Sequence, residues 1–384
     1  MPNQTQSLLF RPIQLRTLKI RNRLVIAPMC QYSAVDGMAN DWHFAHLAKF
    51  AVGGAGVVFT EAAAVSPEGR ITHGDLGIWS MDHARALERT VAFIKDHGAV
   101  PAIQIAHAGR KASMQRPWHG NGPLDESDFQ WGEHPWEIVA PSPEPTNEGW
   151  LLPKELTKQD VQELVQNFAD AAKNAHAVRF EIAEIHGAHG YLIHSFLSPL
   201  SNHRTDEYGG SLQNRMRFAL EVAEAVRAVW PEELPLFFRV SATDAVEGGW
   251  LVDDSVVLAK ELKALGVDVV DCSSRGIYGA ATAARKIPAP GFQVPYAECI
   301  RKEAETATQA VGLILTPEQA EAILQEGRAD LVAIAREALY NPFWPLHAQE
   351  QLEPEKGFSD WPKQYGWWLE RRAQGWRASG FTKP

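Results

Sequence analysis

The sequence predicts an α/β protein, a single closed (β/α)8 barrel of the TIM type, and three observations carry that prediction. Eight short segments are near-continuously apolar, as parallel strands buried on both faces must be. An amphipathic pattern of helical period follows each of them. Capping residues mark the ends of several of those patterns. Parallel strands joined by right-handed crossovers either spread into an open doubly wound sheet or close on themselves, and a count of eight favours closure.

The strands are expected at residues 24–29, 56–60, 100–107, 181–185, 234–240, 267–272, 308–314 and 330–335. Helices are expected over 42–51, 83–96, 158–175, 212–229, 253–265, 296–305 and 317–326, with an eighth beginning near Asn341. Thr157, Asp253 and Thr316 stand where N-caps belong, the last followed by Pro317 at the first helical position. Gly98, Gly266 and Gly327 stand where a chain leaving a helix turns left-handed.

Such a barrel takes about 250 residues, so part of this chain must embellish it. Residues 108–157 hold seven prolines and four tryptophans without a helical period, and read as a capping insertion after the third strand. The tail, 351–384, carries four more tryptophans, and the alternation in LLFRPIQLRTLKIRNRL predicts a hairpin plugging the barrel bottom. One domain is expected over 1–384. Eight of the 13 tryptophans fall in these embellishments.

Hydrophobic residues make up 45% of the 384 and charged ones 22%, which excludes a disordered chain. With 37 basic against 47 acidic residues the net charge is −10, which argues against nucleic-acid or anionic-membrane partners and for small-molecule chemistry. Cys30, Cys272 and Cys299 are too few and scattered for a disulfide framework or a zinc ribbon. No leader pattern and no apolar run of about 18 residues is present, so neither export nor membrane insertion is expected, and a cytoplasmic location is.

In this fold chemistry sits at the C-terminal ends of the strands. There the sequence places Pro28-Met29-Cys30-Gln31-Tyr32, then Ala62, then Gln104 with Lys111 beyond it, then His186, His189 and Tyr191. Two histidines three apart, hedged by glycines, read as packed core rings, as metal ligands, or as N–H donors gripping a carbonyl or phenolate oxygen. The metal reading lacks both further ligands and the HExxH spacing. Tyr191 could then supply a proton. Cys30 taken alone reads as a packing residue. Arg239 lies within a strand and needs an anionic or electron-rich partner. Gln104 needs hydrogen-bond partners that a heteroaromatic ring with amide-like edges would give. Gly312 and Arg336, closing the seventh and eighth strands, coincide with the phosphate site common in this fold.

Together these residues resemble the Old Yellow Enzyme family of FMN-dependent ene-reductases, in its bacterial thermophilic-like class. The stretches that carry the resemblance are IRNRLVIAPMCQYSA, GGAGVVFTEAAAVSPEGRIT, IQIAHAGRKAS, EIHGAHGYLIHSFLSPLSNHRTDEYGGSLQNRMRF and ADLVAIAREALYNPFWP. The resemblance implies FMN held noncovalently, with Ala27, Pro28, Met29, Cys30 and Ala62 beside the ring. It places Gln104 and Arg239 at the pyrimidine edge and Gly312, Ala335 and Arg336 at the phosphate. It implies that His186 and His189 hold a substrate carbonyl, with Tyr32 above, Tyr191 as proton donor and the Cys30 thiol tuning the flavin.

The implied reaction takes hydride from NADPH through flavin N5 to the β-carbon of an α,β-unsaturated carbonyl compound, with nitro compounds as further substrates. Lys111 and Trp344 are further pocket candidates. Trp368 and Arg371 match residues that complete a neighbouring subunit's site, implying a homodimer or homotetramer. No metal is expected. The competing readings are a flavin-free barrel lyase or metal-dependent hydrolase using the histidine pair, and a barrel that binds a ligand without turnover. Three departures stand out: Arg275 and Ala335 where relatives commonly have glycine, and Val178-Arg179 in place of a glycine turn before the fourth strand.

Overall fold

The structure is a computed structural model that describes residues 7–280 and 288–380, so the last four residues of the expected tail lie outside the described residues. An antiparallel hairpin of β1 (Ile13–Leu15) and β2 (Leu18–Ile20) opens the chain. The strands β3 (Leu24–Ile26), β4 (Val57–Ala64) and β5 (Val100–Ala106) follow. The insertion contributes a two-residue pair, β6 (Val139–Ala140) with β7 (Lys154–Glu155). Then come β8 (Ile182–Gly187), β9 (Leu236–Ser241), β10 (Val269–Ser273), β11 (Ala307–Ala310) and β12 (Leu331–Ile334). The eight strands β3, β4, β5, β8, β9, β10, β11 and β12 close in that order into a parallel barrel.

Around it run α1 (Asp41–Val52), α2 (Met81–Asp96), α3 (Lys158–Ala177), α4 (Leu192–Leu197) and α5 (Leu212–Val229). The series continues with α6 (Val252–Ala264), α7 (Val294–Glu303), α8 (Pro317–Gln325), α9 (Arg336–Tyr340), α10 (Trp344–Leu352) and α11 (Lys363–Ala378). Strand alternation divides the apolar residues between two cores. On β3, Leu24 and Ile26 face the helices, while Val25 faces inward with Phe59, Phe237 and Leu331. Leu15 and Ile20 of the hairpin join that inner cluster and close the barrel bottom, as their alternation requires.

Thr157 and Thr316 cap α3 and α8 as expected, accepting from Asp160 N at 3.1 Å and Gln319 N at 3.2 Å. Gly98, Gly266 and Gly327 take φ of 75°, 89° and 68°. Asp253 is not a cap: α6 starts a residue earlier, after Leu251, whose N–H donates to Asp254 at 3.0 Å. The seventh strand stops at Ala310, because Gly312 and Leu313 turn to φ of 111° and 53° and leave the sheet. The eighth helix is two, α9 and α10, parted by Asn341, Pro342 and Phe343, where proline lacks the N–H that would continue a helix. The two arginines that replace expected glycines explain that expectation: Arg179 and Arg275 sit at φ of 71° and 67°, a region glycine occupies at lower cost.

The insertion packs on the barrel mouth through a satellite cluster of Met114, Ile138 and Tyr191. Its Arg116 donates to the Tyr32 carbonyl at 2.8 Å, and Trp118 meets the Tyr32 ring edge-on at 5.9 Å. In the tail, Trp361 stacks on Phe343 at 5.6 Å, whereas Trp367 and Trp368 of α11 are 54% and 68% exposed. Among the described residues no helix is long and apolar enough to cross a membrane.

Candidate active site

Two cavities open at the C-terminal ends of the barrel strands, and Arg239 lines both. The first, of about 320 Å³, is bounded by Pro28, Met29, Cys30 and Tyr32 after β3, by Ala62 of β4, Gln104 of β5 and Arg239 of β9, and by His186, His189 and Tyr191 from β8 and beyond. The second, of about 200 Å³, is bounded by Ser273, by Phe292 and Gln293 before α7, by residues 311–315, and by Ala333 to Glu337 at the end of β12. The register of β4 against β5 shifts between Phe59 and Ala62, so a bulge sits where Ala62 reaches the cavity.

The three rings of the fourth strand end form one cluster. His186 and His189 have centroids 5.1 Å apart at 83°, and Tyr191 stands edge-on to His186 at 5.1 Å. His186 Nδ1 accepts the Ala188 N–H at 3.4 Å, and His189 Nε2 meets Ser273 Oγ at 2.6 Å. The other nitrogen of each ring makes no hydrogen bond within the described residues. Burial first, and then the Arg239 charge, push both imidazoles well below the usual histidine range, so both rings are neutral near pH 7. Burial pushes the Tyr191 phenol and the Cys30 thiol up, which keeps both protonated.

His189 holds φ of 61° and Tyr32 φ of 51°, strained backbone for side chains that line a cavity. The His189 strain is held by contacts on every side. Its N–H donates to Ser241 Oγ at 2.9 Å, and Lys111 Nζ donates to its carbonyl at 2.8 Å and to the Gly276 carbonyl. The Gly190 N–H donates to His194 Nδ1 at 2.7 Å, and His194 Nε2 lies 3.0 Å from the wholly buried Asp244.

Of the residues expected at the site, Ala27 is buried with the inner core just below the first cavity's Pro28. Gly312, Ala335 and Arg336 line the second cavity. Lys111 lines neither cavity: it is wholly buried with its amine on backbone carbonyls, a tether for the His189 loop rather than a pocket wall. Trp344, the first residue of α10, is buried in the outer core and held there by its indole N–H on the Leu315 carbonyl at 3.3 Å. Trp368 and Arg371 lie on α11, away from both cavities of their own chain. No tryptophan of the insertion or the tail lines either cavity; Trp118 reaches it only through Tyr32.

Sequence reasoning gave no role to Ser241, Ser273, Gln293 or the His194–Asp244 pair. Only the position of the two serines at strand ends hinted at them. Among the described residues no group of three or more His, Cys, Asp or Glu side chains converges as a metal site would need.

The sequence profile of the NADH:flavin oxidoreductase / NADH oxidase family matches residues 8–355. The chain is 47% identical to an NADPH dehydrogenase of Geobacillus sp. (strain WCH70) over 349 residues, 90% of this chain and 95% of that protein. It is 44% identical to an NADPH dehydrogenase of Bacillus subtilis (strain 168), again over 90% of this chain, and 96% of that one. Its fold is like that of morphinone reductase in complex with tetrahydroNAD, with a TM-score of 0.71 over 90% of this chain and 91% of that chain at 24% identity. Barrel, strand-end cluster and these likenesses converge: the chain belongs to the NADH:flavin oxidoreductase / NADH oxidase family and is an Old Yellow Enzyme-like oxidoreductase that passes electrons from a reduced nicotinamide to a flavin.

Proposed function

We propose that the chain is an NADPH-dependent ene-reductase, one FMN-holding barrel that reduces the C=C bond of α,β-unsaturated carbonyl compounds. The observation that carries this reading is the pair of cavities joined at Arg239, one walled by the histidine pair and the other by the loops after β11 and β12. Their donors suit a flavin mononucleotide. The backbone N–H groups of Gly312, Leu313 and Arg336 enter no hydrogen bond among the described residues, as donors awaiting a phosphate would. At Gly312, where φ is 111°, a Cβ would stand 3.1 Å from Gln293, so a side chain would crowd the cavity wall. In the first cavity, Gln104 and Arg239 present hydrogen-bonding edges, and Pro28, Met29 and Ala62 an apolar wall.

Bound FMN supplies a two-electron carrier between NADPH and the substrate. His186 and His189 hold the substrate's carbonyl oxygen with their N–H groups, draw electron density from the double bond and steady the negative charge that develops on that oxygen. Tyr191, kept protonated by burial, delivers a proton to the α-carbon. Tyr32, pinned by Arg116 and Trp118, closes the cavity from above and limits water entry. The test is direct: purified protein should be yellow with FMN, bleach anaerobically with NADPH and recover colour with 2-cyclohexenone. A colourless protein that takes up no added FMN overturns the reading.

Two further expectations follow from the same geometry, and a third from the family resemblance. Arg336→Ala should weaken FMN binding about 10- to 100-fold, the worth of one charge-assisted hydrogen bond, in a titration that follows flavin fluorescence. Unchanged affinity would place the phosphate elsewhere. Because both imidazoles are pushed well below the usual range, their proton loss is complete before neutral pH. The pH profile of kcat/KM for the enone should therefore show no histidine step between about pH 6 and 8. A step near the ordinary histidine value would mean that the rings act as cations. Finally, Trp368 and Arg371, remote from their own chain's cavities, serve a second copy of the chain in a homodimer or homotetramer. Truncation before Trp367 should cost both assembly and activity, measured by light scattering and enone turnover.

A further inference from the structure

Beneath the first cavity, polar side chains from adjoining strands occupy a layer inside the barrel. Gln104 of β5 and Glu184 of β8 are register partners, and Gln104 Nε2 donates to Glu184 Oε1 at 2.7 Å. Asp271 of β10 and Gln309 of β11 are register partners in the same way. Arg239, on β9 between the two pairs, is opposite Asp271, with its Nε 3.2 Å from Asp271 Oδ2. Glu184, Asp271 and Gln309 have no solvent exposure at all. Neither Glu184 Oε2 nor either Asp271 oxygen receives a hydrogen bond from any N–H or O–H donor among the described residues.

The layer thus holds two carboxyl groups shut off from water, and one guanidinium that reaches from them to the cavity above. The other titratable group on these strands that faces it is His186 on β8, which burial keeps neutral, whereas Cys272, next to Asp271 on β10, turns outward into the helix-facing core. Two ionised carboxylates in such a place repel strongly, and a proton held between Glu184 and Asp271 turns that repulsion into a hydrogen bond. Burial and the Asp271 charge push the Glu184 carboxyl well up, while Arg239 works to hold Asp271 down against its own burial. The proton therefore rests mainly on Glu184.

We propose that Glu184 and Asp271 share a single proton, and hence carry a single negative charge between them, and that this charge, set against Arg239, fixes the reduction potential of the flavin above. The inference rests on the FMN reading of the cavity. Arg239 and Gln104 line that cavity and contact the acid pair directly, so the charge of the pair is felt one side chain away from the ring. Reduction adds negative charge to a flavin, and an uncompensated Arg239 would favour it. The acid pair holds that preference in check, and either acid can carry the charge.

That interchangeability is the test. Midpoint potentials of the purified holoenzymes would be measured by equilibration with reference dyes. Glu184→Gln and Asp271→Asn each leave one acid to balance Arg239, so each should move the two-electron equilibrium by less than about threefold. Glu184→Gln/Asp271→Asn together leave Arg239 unbalanced and should favour the reduced form by at least about tenfold, about 30 mV more positive. A full shift in Glu184→Gln alone would mean that both acids are ionised in the native protein. An unshifted double variant would mean that the layer does not govern the potential. Either result overturns the proposal.

Should the double variant misfold or lose FMN, infrared spectra of the native and Glu184→Gln proteins decide the question. The native protein should show the carbonyl stretch of a buried carboxylic acid that the variant lacks, and its absence from the native protein overturns the shared proton. A native protein that takes up no FMN fails the cavity reading instead, and the infrared comparison still tests the proton.

Discussion

Alanine at both His186 and His189 is expected to lower kcat/KM for an enone by at least about a thousandfold while the protein stays yellow. Each ring contributes one neutral N–H donor in a buried site, and removal of one preorganised donor to a developing oxyanion costs about 100- to 1000-fold. On the proposed mechanism the two rings grip the same oxygen, so their effects need not add. Flavin retention is expected because the groups assigned to the phosphate line the second cavity, which neither ring lines. Stopped-flow spectroscopy separates the half-reactions: oxidation by the enone should slow far more than reduction by NADPH. His189→Asn, which keeps a side-chain N–H, should recover part of the loss. Equal slowing of both half-reactions would show that the rings position the nicotinamide as much as the substrate.

Arg239→Ala is expected to be the most damaging single change. It removes the cation that lies 3.2 Å from the wholly buried Asp271, and leaving one partner of a buried pair uncompensated costs about 3–5 kcal/mol. Flavin should be lost as well, since Arg239 is, among the described residues, the one that lines both cavities. The pH dependence has a definite sign. Burial already raises the Asp271 carboxyl above its usual value, and Arg239 is what opposes the rise. In the variant the folded-state value climbs further, so the fold is penalised wherever Asp271 must ionise. The penalty is full at alkaline pH and falls as pH drops through the folded-state value toward the unfolded one, near 4. Urea midpoints of variant and native protein should therefore lie further apart at pH 8 than at pH 5.

The barrel was legible because its signals are local. Near-continuous apolar runs, caps at Thr157 and Thr316 and glycines at 98, 266 and 327 each act within one turn or strand of themselves. The strand-end residues were legible for a second reason: once eight strands are counted, the fold itself says which end carries chemistry. What escaped depends on contacts between distant segments. Nothing local says that Lys111 reaches back to the His189 carbonyl or that Trp344 turns inward to the Leu315 carbonyl. Glu184 and Asp271 each look like a lone acid in an apolar strand, and only the pairing of β5 with β8 and of β9 with β10 sets Glu184 on Gln104 and Asp271 on Arg239 beneath one cavity. The over-long seventh strand has the opposite cause. Val311, Leu313 and Ile314 are as apolar as a strand, and the turn at Gly312 that ends it is a matter of φ rather than of hydropathy.

With His189 in its proposed role, the backbone at position 189 sets stability and activity against each other. A histidine at φ of 61° is held there by Lys111, Ser241 and the Gly276 loop, while glycine would adopt the same conformation freely. A library screened for heat resistance alone should then drift toward glycine or asparagine at this position and lose turnover as it does. Selection for thermal tolerance has to be coupled to a turnover screen, or the scaffold will improve by discarding the group it was built to present.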